Sequence, residues 1–410
     1  MHKTFIPFVT CFLAACLGAA CMVPSARPSA ATTTSAPADT KPQEPPSPAP
    51  TEEQSSADTA LKIVRVQLAD NQKTAYIKHS GRVYVYTQDL EKKYKVSAAG
   101  TLEARMLSNG KVQVGSLQST QPIIIEPTKD TLLTWNGNLY AGKIFVIPAQ
   151  YTFLLVEHAD LETYLYGVLP YEMSYSWPLE ALKAQAVAAR TYTLKTIENI
   201  KNKYFDLYSD VRSQMYKGGG KQYDSVRTAV DATKSQVLTY NDKLFYTYYH
   251  GNCGGATDNV NTWNTTAKSI KPLAGATCAY DSHSKNYSWS TDLSFTKILD
   301  YAKGIGLTGK LKSVKISGRT ATGRATHLTL RTSKGEKRVV CNNFRLSVGL
   351  KSCRITRVTL LKNSVRFEGR GYGHGIGMCQ DGANGMAKAG KTYEQILKHY
   401  YPGSKLTTLK

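Results

Sequence analysis

The stretch LETYLYGVLPYEMSYSWPLEALKAQAVAARTYTL, residues 161–194, decides how the chain is read. Its second half is a helix by pattern. Pro178 suits a first helical turn, and Glu180 complements the positive end of the helix dipole. Leu179, Leu182, Ala186 and Ala189 then recur at helical spacing. The small alanines imply close packing against another element. Glu172 stands apart from this pattern. It is a lone acid in a turn-like stretch among Leu169, Tyr171, Met173 and Trp177. It is either an acid that decorates the approach to a helix or a carboxyl group kept for chemistry.

Outward from this stretch the pattern changes period. On the N-terminal side LKIVRVQLA alternates apolar and polar residues from Leu61, as a half-buried strand does. RVYVYT, KVQVGSL, PIIIEP, LYAGKIFVIP and YTFLLVEHA follow at short spacing to about residue 158, with Gly or Pro between them. On the C-terminal side QVLTYNDKLFYTYYH reads as strands joined by an Asn-Asp turn. LKSVKISGR, THLTLRTS and SVRFEGRGYG read as further strands. The expected fold class is α+β: β-rich, with one prominent alanine-rich helix packed on antiparallel sheet. Residues 59–158 form the β-rich part and 159–410 the part that carries the motifs.

The N-terminus bears on the compartment. MHKTFIPFVTCFLAACLGAAC has a basic start and an apolar run too short to span a membrane, as an export signal does. LAAC, ending at Cys16, has the form of a bacterial lipobox, in which the cysteine is lipidated. A simple cleaved signal is the alternative. Residues 22–58 hold 8 of the 16 prolines and almost no large apolar residue, so a disordered tether is expected there. The formal net charge of +22 favours an anionic partner. Nucleic acid is not expected, because the chain reads as exported and shows neither a recognition helix nor zinc-finger spacing.

Residues 161–194 resemble the stage II sporulation protein D family, also called the LytB-like amidase enhancer family. Its pattern runs close to GV.P.EM...WP.EALKAQAVAAR.Y. The resemblance continues in YYHGNCGG and in GRGYGHGIGMCQDGANGMAKAGKTYEQILKHYYPG, so it covers roughly residues 155–405. It implies work on the bacterial cell envelope. Members act as lytic transglycosylases on peptidoglycan strands stripped of stem peptides, or as enhancers of cell-wall amidases. It also implies that Glu172 is the catalytic acid. Tyr171, Arg190, Tyr372, His374 and Gln380 become candidates for glycan contact. A lytic transglycosylase needs one carboxyl group in principle, where a hydrolytic glycosidase usually needs two. Burial among apolar neighbours would keep that carboxyl protonated near neutrality.

Two further constellations stand out. His250-x2-Cys253 and Cys278-x4-His283 have the composition of a closed, structural zinc site, with a Cys253–Cys278 disulfide as the alternative. In GRGYGHGIG, Gly369, Gly371, Gly373, Gly375 and Gly377 recur at every second position. In an extended strand all five would share one bare face. The family often has serine at the position of Cys379. Cys341, Cys353 and Cys379 leave a further disulfide pairing open. The expected partners are glycan strands, a cell-wall amidase and the membrane, the last through a lipid on Cys16. A non-catalytic, glycan-binding enhancer remains the second reading.

Overall fold

The computed structural model describes residues 62–221, 223–262 and 269–409. Cys16, the expected export signal and the expected tether lie outside the described residues. The described residues belong to one compact unit, Thr59–Lys410.

The alternating segments form the strands expected of them. Ile63–Gln72 lies between Phe153–Asp160 and the short Leu207–Tyr208. Lys143–Pro148, Ile123–Pro127, Val83–Thr87 and Lys93–Val96 extend this sheet to seven strands, antiparallel except at Leu207–Tyr208. A six-stranded sheet built around Thr74–His79 and Gly100–Met106 faces the same core. Thr74–His79 shows the reason: Ala75, Ile77 and His79 are buried, while Thr74, Tyr76 and Lys78 are exposed. Gln236–Tyr240 and Lys243–Leu244 form a hairpin through Asn241 and Asp242, both at positive φ, the backbone a two-residue hairpin turn requires.

Among the described residues seven α-helices join the sheets: α1 (Leu161–Glu172), α2 (Leu179–Asn199), α3 (Asp224–Ala232), α4 (Phe295–Gly304), α5 (Cys341–Val348), α6 (Gln380–Lys388) and α7 (Tyr393–Tyr400). Strand Phe153–Asp160 runs directly into α1, where the Asp160 side chain accepts from the Thr163 N–H and caps the helix. One core holds residues from both sides of position 158, among them Phe153, Leu155, Leu165 and Ala189. Pro170 removes a helical donor near the end of α1, and the helix stops at Glu172. The chain turns through Ser174–Trp177 and re-enters a helix at Pro178, the N-cap of α2.

Helix α2 is central. Every residue from Ala184 to Thr191 is buried, so it has no solvent face there. It packs against α1, α3, α6 and α7 as well as against strand Gln236–Tyr240. The alanine-rich helix packs on antiparallel sheet as expected, and its small side chains also admit four other helices.

The GRGYGHGIG run departs from its expected form. Only Gly369 and Arg370 lie in a strand, Ser364–Arg370. Gly371, Gly373, Gly375 and Gly377 all take positive φ, between 68° and 107°. The run is a looped path without a bare strand face. At Gly375 a Cβ would stand 2.2 Å from the Arg324 guanidinium, so only glycine fits both the backbone and the space.

Candidate functional site

Glu172 is the last residue of α1, and its side chain is partly buried. The Met215 N–H donates to its Oε1 at 2.9 Å. The Gln380 side chain, at the start of α6, is its second hydrogen-bond partner. Burial raises the carboxyl from its ordinary 4.5 to about 7, and these two hydrogen bonds pull the other way. A carboxyl held there passes between its protonated and ionised forms near neutral pH, as a general acid that must later act as a base requires.

Beneath the acid lies a polar network. Gln214 donates to Tyr164 Oη at 3.1 Å and Thr193 Oγ1 at 2.7 Å, and accepts from the Tyr249 hydroxyl at 2.8 Å. Tyr249 is raised well above its ordinary value, first by burial and then by the nearby Glu172 charge. Gln380 also donates to Gln185 Oε1 at 3.3 Å, and the buried Gln185 Nε2 has no partner among the described residues. One residue beyond Met215, Tyr216 donates to Glu157 Oε2 at 2.6 Å, deep in the core. Glu157 is fully buried, and burial raises its carboxyl to about 7 as well. The sequence reading missed Gln185, Gln214, Met215 and Glu157. Gln185 lies inside the quoted stretch, one position before Ala186. The loop bearing Gln214 and Met215 carries no pattern that announces it.

The residues expected to touch glycan divide by position. Tyr171 is beside the acid and half-buried, with Lys217 Nζ 5.0 Å above its ring. Tyr372 is half-exposed, and its backbone pairs with Asn252. Gln380 bonds the acid itself. His374 accepts from the Ile376 N–H at Nδ1 (3.1 Å) and meets the Tyr249 carbonyl through Nε2 at 2.9 Å. Those partners set its neutral tautomer, and burial with the nearby Arg345 charge lowers it to about 3. Arg190 has no exposed surface to offer a ligand. It makes a two-pronged bond to Glu162, at 3.0 and 2.6 Å, and bonds the Gln236 and Val230 carbonyls.

The four residues expected to bind zinc do not converge as one set. Cys253 and Cys278 come together, but with Asp281 and Cys379, the four ligand atoms lying within 4.8 Å of one another. His250 turns to the Ile376 carbonyl at 3.1 Å and its ring lies 5.2 Å from that of His374. His283 is exposed and meets Asn384 at 3.5 Å. Neither histidine belongs to the cluster. Cys341 and Cys353 neighbour each other in a separate core, as free thiols.

Set beside known proteins, this arrangement has clear relatives. The family model described as stage II sporulation protein matches residues 149–240, which contain Glu172, α1 and α2. An uncharacterized protein of Brachyspira hyodysenteriae is 34% identical over 349 residues, 83% of this chain and 92% of the relative. Stage II sporulation protein D of Bacillus subtilis is 30% identical over 62% of this chain and 76% of its own length. The amidase enhancer of Bacillus subtilis is 32% identical over 60% of this chain, but over only 40% of its own length. The chain belongs to the stage II sporulation protein D family. Among the described residues no helix is long and apolar enough to cross a membrane.

Proposed function

We propose that the protein is a peptidoglycan lytic transglycosylase in which Glu172 serves as both acid and base. Family membership supports the coarser statement, a role at the cell wall. The observation that carries the finer one is the Glu172 carboxyl, held near neutrality by burial at the end of α1 and still partly open to solvent. Protonated Glu172 gives its proton to the glycosidic oxygen as the bond to C1 breaks. The resulting carboxylate takes the proton of the sugar's own 6-hydroxyl, whose oxygen closes on C1. The products are a free chain end and a 1,6-anhydro ring, and no second carboxyl is required. Tyr171, Tyr372, His374 and Gln380 stand as the glycan-facing or acid-tuning side chains, and strands without stem peptides as the substrate.

The relative named amidase enhancer favours a second reading, in which the same surface binds glycan or an amidase without cleaving anything. Mass spectrometry of purified glycan strands after incubation separates the two. Wild-type protein should generate anhydro-sugar ends, and Glu172→Gln should lose them. Unchanged strands with the wild-type protein would leave the enhancer reading.

A further inference from the structure

We propose that Cys253, Cys278, Cys379 and Asp281 form a structural zinc site that locks the start of α6 beside Glu172. The four ligand atoms converge from three separate segments: the loop after Tyr249–His250, the 278–281 loop, and the N-cap of α6. All four residues are buried. Three sulfurs and one carboxylate oxygen suit a soft, tetrahedral divalent ion, zinc above all. With four protein ligands the site is closed, so its role is to hold structure and not to activate water.

The surroundings argue for thiolates around a cation and against a disulfide. Backbone N–H groups are aimed at the acceptors. Cys379 Sγ accepts from the Cys253 N–H at 3.2 Å and the Gly382 N–H at 3.3 Å. Asp281 Oδ2 accepts from the Gly254 N–H at 2.8 Å, the Gly255 N–H at 3.1 Å and the Cys253 thiol at 3.0 Å. Cys278 Sγ meets the Tyr400 hydroxyl at 3.1 Å. Three thiolates, a carboxylate and one zinc leave a net charge of −2, which such donors offset. A disulfide would consume two of the sulfurs and would give nothing to Asp281 Oδ1. The second, independent sign is Asp281 itself. It is fully buried, and its Oδ1 has no hydrogen-bond partner among the described residues. An orphaned carboxylate oxygen beside three thiols fits a cation site better than an ordinary core. Gly382 belongs to the same design: a Cβ there would stand 2.6 Å from Cys278 Sγ, so glycine lets that sulfur reach α6.

Binding exchanges protons for metal. Each coordinating thiol gives its proton to solvent as its sulfur takes a coordination bond, and no electron moves. Cys379 is followed directly by Gln380, the hydrogen-bond partner of Glu172. The zinc therefore sits one residue from the side chain that tunes the acid, which gives a closed metal site a positioning role.

The test uses the full chain carrying Cys11→Ser, Cys16→Ser and Cys21→Ser, purified without chelator and loaded with zinc chloride. Elemental analysis should give one zinc per chain, and X-ray absorption should count three sulfurs and one oxygen around it. Asp281→Ala and Cys379→Ser should each weaken zinc binding at least tenfold against a chromogenic chelator, and His283→Ala should leave it unchanged. If a cysteine variant fails to fold, the wild-type absorption spectrum alone decides. Metal-free protein with a disulfide among Cys253, Cys278 and Cys379, or a zinc shell containing imidazole nitrogen, overturns the site. The readout is metal content, so it stands or falls apart from the transglycosylase reading.

Discussion

The Met215 N–H donates to Glu172 Oε1 at 2.9 Å, across 43 positions of sequence. Because Tyr216 is anchored in turn on Glu157, the loop that presents this donor is fixed from below. Backbone donors are not lost by side-chain change, so Met215→Leu should leave anhydro-product formation near wild type. Tyr216→Phe, which releases the anchor, should lower the rate without weakening glycan binding. Strand-binding and product assays on both variants check this pair, and equal rates would show that the anchor is dispensable.

The pH profile of cleavage follows from the acid. Glu172 must be protonated to start the reaction, and its carboxyl is raised to about 7. Activity should therefore fall as pH rises through about 7. The Gln380 hydrogen bond holds the value down, so Gln380→Leu should move the alkaline fall to higher pH. An alkaline limb at the same pH in both proteins would remove Glu172 as the titrating group. Glu172→Gln should lose about 10² to 10⁴-fold in rate at every pH.

What was legible in the sequence was local. Alternation gave the strands from Ile63 to Asp160, Asn241 and Asp242 gave a hairpin, and Pro178 gave the start of α2. Glu172 stood out because its neighbours were apolar. Long-range convergence was not legible. Cys253 meets Cys379 across 126 residues, and nothing in His-x2-Cys spacing says that His250 turns instead to the Ile376 carbonyl. The glycine run misled for a different reason. Period-two spacing is shared by a strand and by a loop that takes positive φ at each glycine, and only the φ values separate them. Arg190 sits in the motif as a charged residue among alanines, and spacing alone does not reveal that Glu162 lies opposite.

Glu180 is the control acid of the same stretch. It does more than complement the helix dipole: it pairs with Lys183 at 2.8 Å and accepts from the Tyr393 N–H at 2.7 Å, tying α2 to α7. Glu180→Gln should cost about 1–2 kcal/mol of stability and leave cleavage intact. Thermal unfolding beside the product assay checks it. Loss of activity without loss of stability would make Glu180 part of the site.

Arg190 should behave as a structural residue. Its removal leaves the Glu162 carboxylate without its cation and takes one donor from each of the Gln236 and Val230 carbonyls. Arg190→Met should destabilise the protein by about 3–5 kcal/mol. Denaturant unfolding reads that loss. Weaker glycan binding at unchanged stability would instead return Arg190 to the substrate contacts that the sequence motif implied.

Two carboxyls raised by burial each bias stability with pH in an unusual direction. Glu157 and Glu172 are both raised from 4.5 to about 7 by burial. Between those values the folded state holds protons that the unfolded chain has released. Stability is therefore greatest, as far as these groups go, below about 4.5, and it is lost as pH rises to about 7. The slope approaches about 1.4 kcal/mol per pH unit for each group. Glu157→Gln removes one of the two protons and can keep the Gly142 and Tyr216 contacts if the Tyr216 hydroxyl turns from donor to acceptor. Relative to the wild type, its unfolding free energy should therefore rise with pH by up to about 1.4 kcal/mol per unit between about pH 5 and 7. His158, His250 and His374, which burial lowers, add the opposite slope to both proteins and cancel from the difference. Glu172→Gln should do the same, and the double variant should show about twice the change relative to the wild type. Chemical denaturation at several pH values measures these differences, and a variant-to-wild-type difference that stays constant across this window for both carboxyls would show that neither is protonated in the folded protein.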